Sequence, residues 1–393
     1  MACCNSLRAV TTDIPLSLYV HLPWCVRKCP YCDFHSLPGR GSTLPEKAYV
    51  QSLLVDLAGM TDVLAARPLR SVFFGGGTPS LFSASAIGDI LAGVARIGSL
   101  APDCEVSLEA NPGTVEAGRF QGFRDAGVNR LSLGVQSLQD HHLARLGRIH
   151  TAADARRAVE LAAGAGFRSF NIDLMYGLPE QTVDEARADM AWVLDATAAH
   201  ISLYELTIEP NTAFAHAPPT LPAEAVRGDI EACVQDMAAE AGFRRYEISA
   251  YAQDGFRCRH NLNYWQFGDY IGIGSGAHGK LSDETGVWRE TRTRDAQAYL
   301  HDPHHDRTRR RIPSHTLWWE FLLNGLRLTE GFRLADFRAT TGLTDECLTE
   351  RLQSAVRSGL VELGGDRVCA TPRGVRFLDS ILAPLVPDDR TTE

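Results

Sequence analysis

Tyr19-Val-His-Leu-Pro-Trp-Cys-Val-Arg-Lys-Cys-Pro-Tyr-Cys-Asp-Phe34 carries Cys25, Cys29 and Cys32 at C-x3-C-x2-C spacing, directly after an apolar, strand-like run. Thiolates bind soft metal centres, and a short loop can aim three of them at one cluster. A 4Fe-4S cube has four irons, so three protein ligands leave one iron open to a small molecule. Two other readings stand beside this one: a zinc site with His35 as fourth ligand, and three unligated thiols.

Outward from that loop, apolar runs at 16–22, 71–74, 105–109, 130–135, 169–174 and 201–206 alternate with helical periodicity at 46–64, 84–97, 115–126, 153–165 and 183–194. Strands alternating with helices predict a parallel sheet of βαβ units. Six units make an α/β fold, a partial (β/α)6 TIM-type barrel of about two hundred residues. Polar or glycine-rich residues gather where each strand ends: the cysteine loop, Gly75-Gly-Gly-Thr-Pro-Ser80, Glu109-Ala-Asn111-Pro112, Gly134-Val-Gln136-Ser137, Asn171-Ile-Asp173 with Tyr176-Gly-Leu-Pro179, and Tyr204-Glu-Leu-Thr207. Sites in barrels lie at the carboxyl ends of the strands.

Within these motifs, Gly75–Gly77 would let the backbone approach a ligand, or make a plain strand-to-helix turn with Thr78 or Ser80 as the cap. Glu109, Gln136, Arg148 and Asp173 suit ribose hydroxyls and a carboxylate, or surface and capping roles. Beyond residue 210 the pattern loosens, with a helix expected at 224–241 and a strand at 246–251. His260-Asn-Leu-Asn-Tyr264-Trp265 follows, then a glycine-rich stretch ending in His278-Gly279. Imidazole is a common axial ligand of haem iron and aromatic rings pack on a porphyrin face; the alternative is a partly buried polar turn capped by its own asparagines. Cys258 is read as a plain buried thiol within reach of an iron. The basic run 307–311 reads as a solvated linker. From residue 317, helices at 317–326, 334–340 and 345–358, a hairpin over 360–369 and a last helix at 373–382 predict a small α+β domain of winged-helix kind. Its would-be recognition helix mixes acids with arginines, so it reads as a packing or lid element rather than a DNA reader.

The 393 residues allow a large core and more than one domain, and 45% hydrophobic with 22% charged residues is ordinary for a globular chain. A formal net charge of −9 argues against a general nucleic-acid binder. No apolar run reaches membrane-spanning length, and the first fifteen residues lack a secretory pattern. The other cysteines are scattered, which suits a reducing compartment such as the cytoplasm.

The cysteine spacing, with the aromatic Tyr31 before the third cysteine, resembles the radical S-adenosylmethionine (SAM) superfamily. The resemblance implies a 4Fe-4S cluster on Cys25, Cys29 and Cys32 whose open iron binds SAM and whose electron cleaves it to a 5′-deoxyadenosyl radical. Across residues 16–380 the chain is similar to the HemN/HemW family: a tyrosine opening the cluster motif, GGGTP, a Glu after the third strand, GVQ, an Arg about twelve residues later, and NIDL-YGLP all occur in order. That match implies SAM contacts from Tyr19, Tyr31, Gly76, Gly77, Thr78, Glu109, Gln136, Arg148 and Asp173. It divides the chain into a lead-in (1–15), a radical SAM core barrel (16–210), a barrel extension (211–312) and a winged-helix-like domain (313–393).

The HemN branch decarboxylates coproporphyrinogen III and carries a fourth cysteine two places after the third; Phe34 stands there here. The HemW branch carries HNxxYW and is associated with haem binding. The resemblance therefore implies a haem chaperone, with His260, Tyr264, Trp265 and His278 as haem-binding candidates and haem-accepting, respiratory proteins as partners. It implies transient contact with membrane proteins and is compatible with a homodimer. Coproporphyrinogen dehydrogenase, a radical enzyme on another substrate, and a zinc-bound binding protein are the other expectations.

Overall fold

The computed structural model describes residues 14–39, 44–114 and 118–387. Six strands follow one another in parallel: β1 (Leu16–Leu22), β2 (Leu69–Gly76), β3 (Leu100–Ala110), β4 (Arg130–Gln136), β5 (Ser169–Tyr176) and β6 (His200–Glu205). The main helices between them are α1 (Glu46–Ala58), α2 (Ala84–Ile97), α3 (Arg119–Asp125), α4 (Asp140–Arg145), α5 (Ala152–Gly164) and α6 (Val183–Asp195), with a short helix at Thr61–Ala66 after α1 and α7 (Glu224–Glu240) after β6.

Strand parity builds the barrel. Side chains alternate across a strand, and here one parity is aliphatic. Leu18 and Val20 of β1, Val72 and Phe74 of β2, Leu131 and Leu133 of β4 and Ile172 of β5 bury against Leu53, Ile90, Val159 and Met190 of the surrounding helices. Each such burial contributes roughly 1.5–3 kcal/mol. The other parity is polar or aromatic and faces the lumen: Tyr19, Phe73, Glu109, Ser132, Asp173 and Ser202 line a common cavity.

The sheet continues on both sides. On the β6 side stand β7 (Ala250–Ala252) and the two-residue strand Arg244–Arg245. On the other side β8 (Asp269–Ile273) pairs in parallel with β1, followed by antiparallel β9 (His278–Asp283), β10 (Gly286–Thr291) and β11 (Thr308–Arg311). The sheet is therefore open, a partial barrel with a further parallel strand that periodicity did not announce. β8 holds Gly272, where a Cβ would stand 1.9 Å from the His278 carbonyl oxygen, so the tight return to β9 requires glycine.

Four expectations are corrected. The basic run 307–311 is largely an edge strand, not a linker: Arg307 pairs with Glu290 at 3.1 Å and Arg309 with Asp283 at 2.9 Å, so acids of the neighbouring hairpin hold it. The strand expected over 246–251 shrinks to β7, because the Glu247 carboxylate accepts the Ser249 N–H at 3.1 Å and closes a turn. The helix expected over 46–64 is interrupted after Ala58, where the Thr61 hydroxyl donates to the Ala58 carbonyl at 2.7 Å. The helix expected over 115–126 begins at Arg119; residues 115–117 lie outside the described residues.

The HNxxYW stretch is itself a helix, α8 (Arg259–Trp265). Beyond it come α9 (Ser314–Gly325), α10 (Leu334–Thr341), α11 (Asp345–Arg357), and a three-stranded sheet of Phe332–Arg333, Arg367–Ala370 and Val361–Gly364. The last helix is split at Phe377 into Pro372–Arg376 and Leu378–Leu382. This region has its own apolar cluster around Phe321, Phe337, Leu348 and Val368, into which Phe267 and Val287 of the barrel side are packed.

Candidate functional site

The cysteine loop leaves the carboxyl end of β1. Trp24–Cys25 pairs with Leu37–Pro38, the Cys32 N–H donates to the Cys29 carbonyl at 3.2 Å, and the Gly39 N–H to the Cys25 carbonyl at 2.7 Å. All three thiols are half-buried. The Thr78 hydroxyl donates to Cys25 Sγ at 3.4 Å, and Arg148 Nη1 to Cys29 Sγ at 3.6 Å and to the Tyr31 hydroxyl at 3.5 Å. A hydroxyl and a guanidinium turned on sulfur suit an anionic thiolate set. Zinc fits less well. One tetrahedral zinc draws its sulfurs to about 3.8 Å apart. Among the described residues, the trio of Cys, His, Asp or Glu ligand atoms within 4.8 Å of one another is His141, His142 and Glu185, not the cysteines with or without His35. The more open cysteine trio suits a larger inorganic core.

Behind the loop, Gly77 serves packing: a Cβ there would lie 2.6 Å from the backbone of Pro23 and Trp24. Gly77→Ala is expected to push the loops apart, costing about 1–3 kcal/mol and lowering iron uptake; thermal unfolding and iron content check both. Gly76 has φ of +111° and donates its N–H to Glu109 Oε2 at 3.3 Å. Gln136 sits at φ +70°, where β4 slips register against β5, and its amide oxygen accepts the Tyr204 hydroxyl at 2.5 Å. A non-glycine residue held in that region at a strand end marks a constrained site. Arg148 Nη2 donates to the Gly134 carbonyl at 2.7 Å, fixing it to β4.

The lumen forms a cavity of about 580 Å³, within the range of small-molecule sites. Tyr19, Gly76, Glu109 and Asp173 line it, whereas Tyr31, Gly77, Thr78, Gln136 and Arg148 are grouped behind it, around the cysteine loop and the end of β4. Burial, and then the nearby Asp173, push the Glu109 carboxyl up to about 8 against the Gly76 N–H. Burial also raises Asp173, opposed by Asn171, whose amide donates to it at 2.7 Å. Because the folded chain holds the Glu109 proton more tightly than the unfolded one, Glu109 favours the fold below pH about 4.5 and loses that contribution as pH rises towards 8. Each pH unit in that window costs on the order of 1 kcal/mol. Glu109→Gln removes the loss, so urea midpoints of the apo chain at pH 5.5 and 8 should show the variant gaining on wild type with rising pH.

The other wall comes from α8 and β8. His260 is buried, stacked on Phe73 with centroids 4.8 Å apart, and edge-on to Tyr264 at 5.0 Å. Its Nδ1 lies 2.9 Å from Ser71 Oγ, which donates its own proton to Ser17 at 2.8 Å. Nδ1 therefore carries the imidazole hydrogen, leaving the Nε2 lone pair buried with no hydrogen-bond partner. Burial lowers the ring to about 3, so it stays neutral and able to ligate a metal. Tyr264 lines the cavity and His278 lies exposed at its rim. Trp265 does not face the lumen: the Arg327 guanidinium stacks over its ring at 4.2 Å, against the C-terminal region. Cys258 donates to Glu105 at 3.5 Å and burial pushes its thiol up to about 12, the behaviour of a plain buried thiol.

Inspection of motifs missed the lumen residues Arg130, His200 and Arg294. Lumen parity in β4 and β6 was the available signal for the first two. It also missed His150, whose Nε2 lies 3.0 Å from the Val135 carbonyl beside Gln136.

Residues 19–193 match the Radical SAM superfamily model and residues 312–377 the HemN C-terminal domain. The coproporphyrinogen III oxidase HemN of Escherichia coli superposes with a TM-score of 0.79 at 20% identity, covering 95% of this chain and 91% of its own, a likeness of fold. Cysteine loop, barrel and appended domain together make this a radical SAM protein. Within that superfamily the chain belongs to the HemW family: it is 45% identical to the heme chaperone HemW of Escherichia coli over 94% of this chain and 97% of that one. It is 44% identical to the Haemophilus influenzae HemW with the same coverage, and 35% identical to the mitochondrial radical S-adenosyl methionine domain-containing protein 1 of Bos taurus, over 94% and 87%. No helix among the described residues is long and apolar enough to cross a membrane.

Proposed function

We propose that this chain is a haem chaperone that takes haem into the barrel cavity and passes it to haem-dependent, respiratory proteins in the cytoplasm or at the membrane face. The observation that carries the reading is the end-to-end 45% identity to a heme chaperone HemW. Two structural features support it. The buried Nε2 of His260 is neutral and unpartnered beside aromatic rings, which suits an axial iron ligand. Phe34, two places after the third cysteine, is 65% exposed and offers no ligand atom.

Cys25, Cys29 and Cys32 would hold a 4Fe-4S cluster, and SAM would lie between it and Tyr19, Gly76, Glu109 and Asp173. The cluster, when bound, supplies one-electron chemistry to SAM. The chain's own part is to hold and orient. The Gly76 backbone admits close approach, Glu109 and Asp173 offer carboxylate oxygens to ribose hydroxyls, and Arg148 bridges the cysteine loop to β4. The parts 16–210, 211–312 and 313–393 are our division of labour: cluster and SAM, haem wall, and cover. Supplied anaerobically with coproporphyrinogen III, SAM and a reductant, the reconstituted chain is expected to form no vinyl product. Stoichiometric decarboxylation would make it an enzyme of porphyrin synthesis instead.

A further inference from the structure

Away from the cavity, α4 follows the Gln136 bend, and α6 starts after the Tyr176-Gly-Leu-Pro179 turn. Where they meet, His141 Nε2 lies 3.1 Å from Glu185 Oε1, and His142 Nε2 lies 3.5 Å from Glu185 Oε2. One ligand atom from each of the three lies within 4.8 Å of the other two. With Zn–N and Zn–O bonds of about 2.0–2.1 Å, neighbouring ligand atoms of a tetrahedral zinc stand about 3.3 Å apart. The His141–Glu185 contact already has that spacing, and the His142 contact, to the other carboxylate oxygen, is near it.

The His142 side chain is 1% exposed; its Nδ1 has no hydrogen-bond partner, and its Nε2 meets only the Glu185 carboxylate, at 3.5 Å. The nearby Arg145 is spent on the Pro179 carbonyl and Glu180. Glu185 is held in place because its Oε2 also accepts from the Thr182 N–H and hydroxyl, both at 2.9 Å, as the capping box of α6. His141 and Glu185 keep 52% and 30% of their side-chain surface exposed, leaving an approach for the ion and for a water as fourth ligand.

We propose that His141, His142 and Glu185 form a zinc site that clips the loop after β4 to the start of α6. Imidazole and carboxylate donors in this number suit zinc. The clip would work beside two existing ties, Ser137 Oγ to Asp189 at 2.6 Å and Gln139 Nε2 to Asp189 at 3.1 Å. It would brace the segment that holds Gln136. The site is separate from the cysteine loop and from the haem reading, and neither depends on it.

The test is calorimetric titration of the full chain with Zn(II), after cluster reconstitution has occupied the cysteine loop. Wild type is expected to bind one zinc per chain at this site and to gain thermal stability from it. His141→Ala, at an exposed position that tolerates truncation, should weaken that binding at least tenfold and lose the gain. Glu185→Gln should do the same. Wild type taking up no zinc, or both variants binding as wild type does, would overturn the proposal.

Discussion

Cys29→Ala is expected to come through anaerobic reconstitution with almost no iron, against about four irons per chain for wild type. Two thiolates at the ends of the loop cannot hold a cube that three share, and Arg148, which turns its guanidinium on Cys29 Sγ at 3.6 Å, would face a methyl group. The visible charge-transfer absorption should vanish with the iron. The fold should survive, because Cys29 is half-buried on a surface loop and outside the aliphatic core. Cys104→Ala is the control: that thiol is buried and pushed up to about 12, so its loss should leave iron unchanged. A Cys29→Ala chain that kept wild-type iron would sink the assignment of the cluster to this loop.

His260→Ala is expected to weaken haem binding at least tenfold while cluster iron stays at the wild-type level. An axial bond to iron is lost, and most other imidazoles of the cavity are committed: His278 is at the rim, His200 is held by Asn171 at 2.7 Å and Tyr246 at 2.8 Å, and His21 by Tyr19 at 3.0 Å and the His35 carbonyl at 2.9 Å, which leaves His35. Some stability goes as well, because the ring fills space between Phe73 and Tyr264 and bonds to Ser71; large-to-small changes of this kind cost about 2–5 kcal/mol. His260→Gln, which keeps a polar group and much of the volume, separates the two effects. If haem affinity is lost in both variants but stability mainly in the alanine one, the ligand role stands; an unchanged titration in His260→Gln makes His260 a packing residue.

The barrel was legible because each core strand writes its two faces into alternate residues. In β1, Leu16, Leu18, Val20 and Leu22 face the helices while Tyr19 and His21 face the lumen. The cysteine loop stood out by its spacing, which by itself left a cluster, a zinc site and free thiols open; the family resemblance chose among them. What escaped depends on geometry that spacing does not carry. β8 is short and glycine-bearing, so it read as a loop motif. The arginines of 307–311 read as solvated because the acids that pair them lie on other strands. HNxxYW read as one cluster, but it is a helix: His260 and Tyr264, four apart, share a face, while Trp265, a further 100° round, turns towards Arg327. Gly77, read as a ligand contact, also has a packing reason, because a Cβ there would meet the backbone of Pro23 and Trp24. His141, His142 and Glu185 come together only through the docking of α4 against α6.

The central claim is tested most directly by titrating the cluster-reconstituted wild-type chain with haem under anaerobic, reducing conditions. The account predicts saturation at one haem per chain, with a spectrum of imidazole-ligated iron that His260→Gln alters, and transfer of that haem to an apo haem protein. A reconstituted chain with full iron that takes up no haem would contradict it.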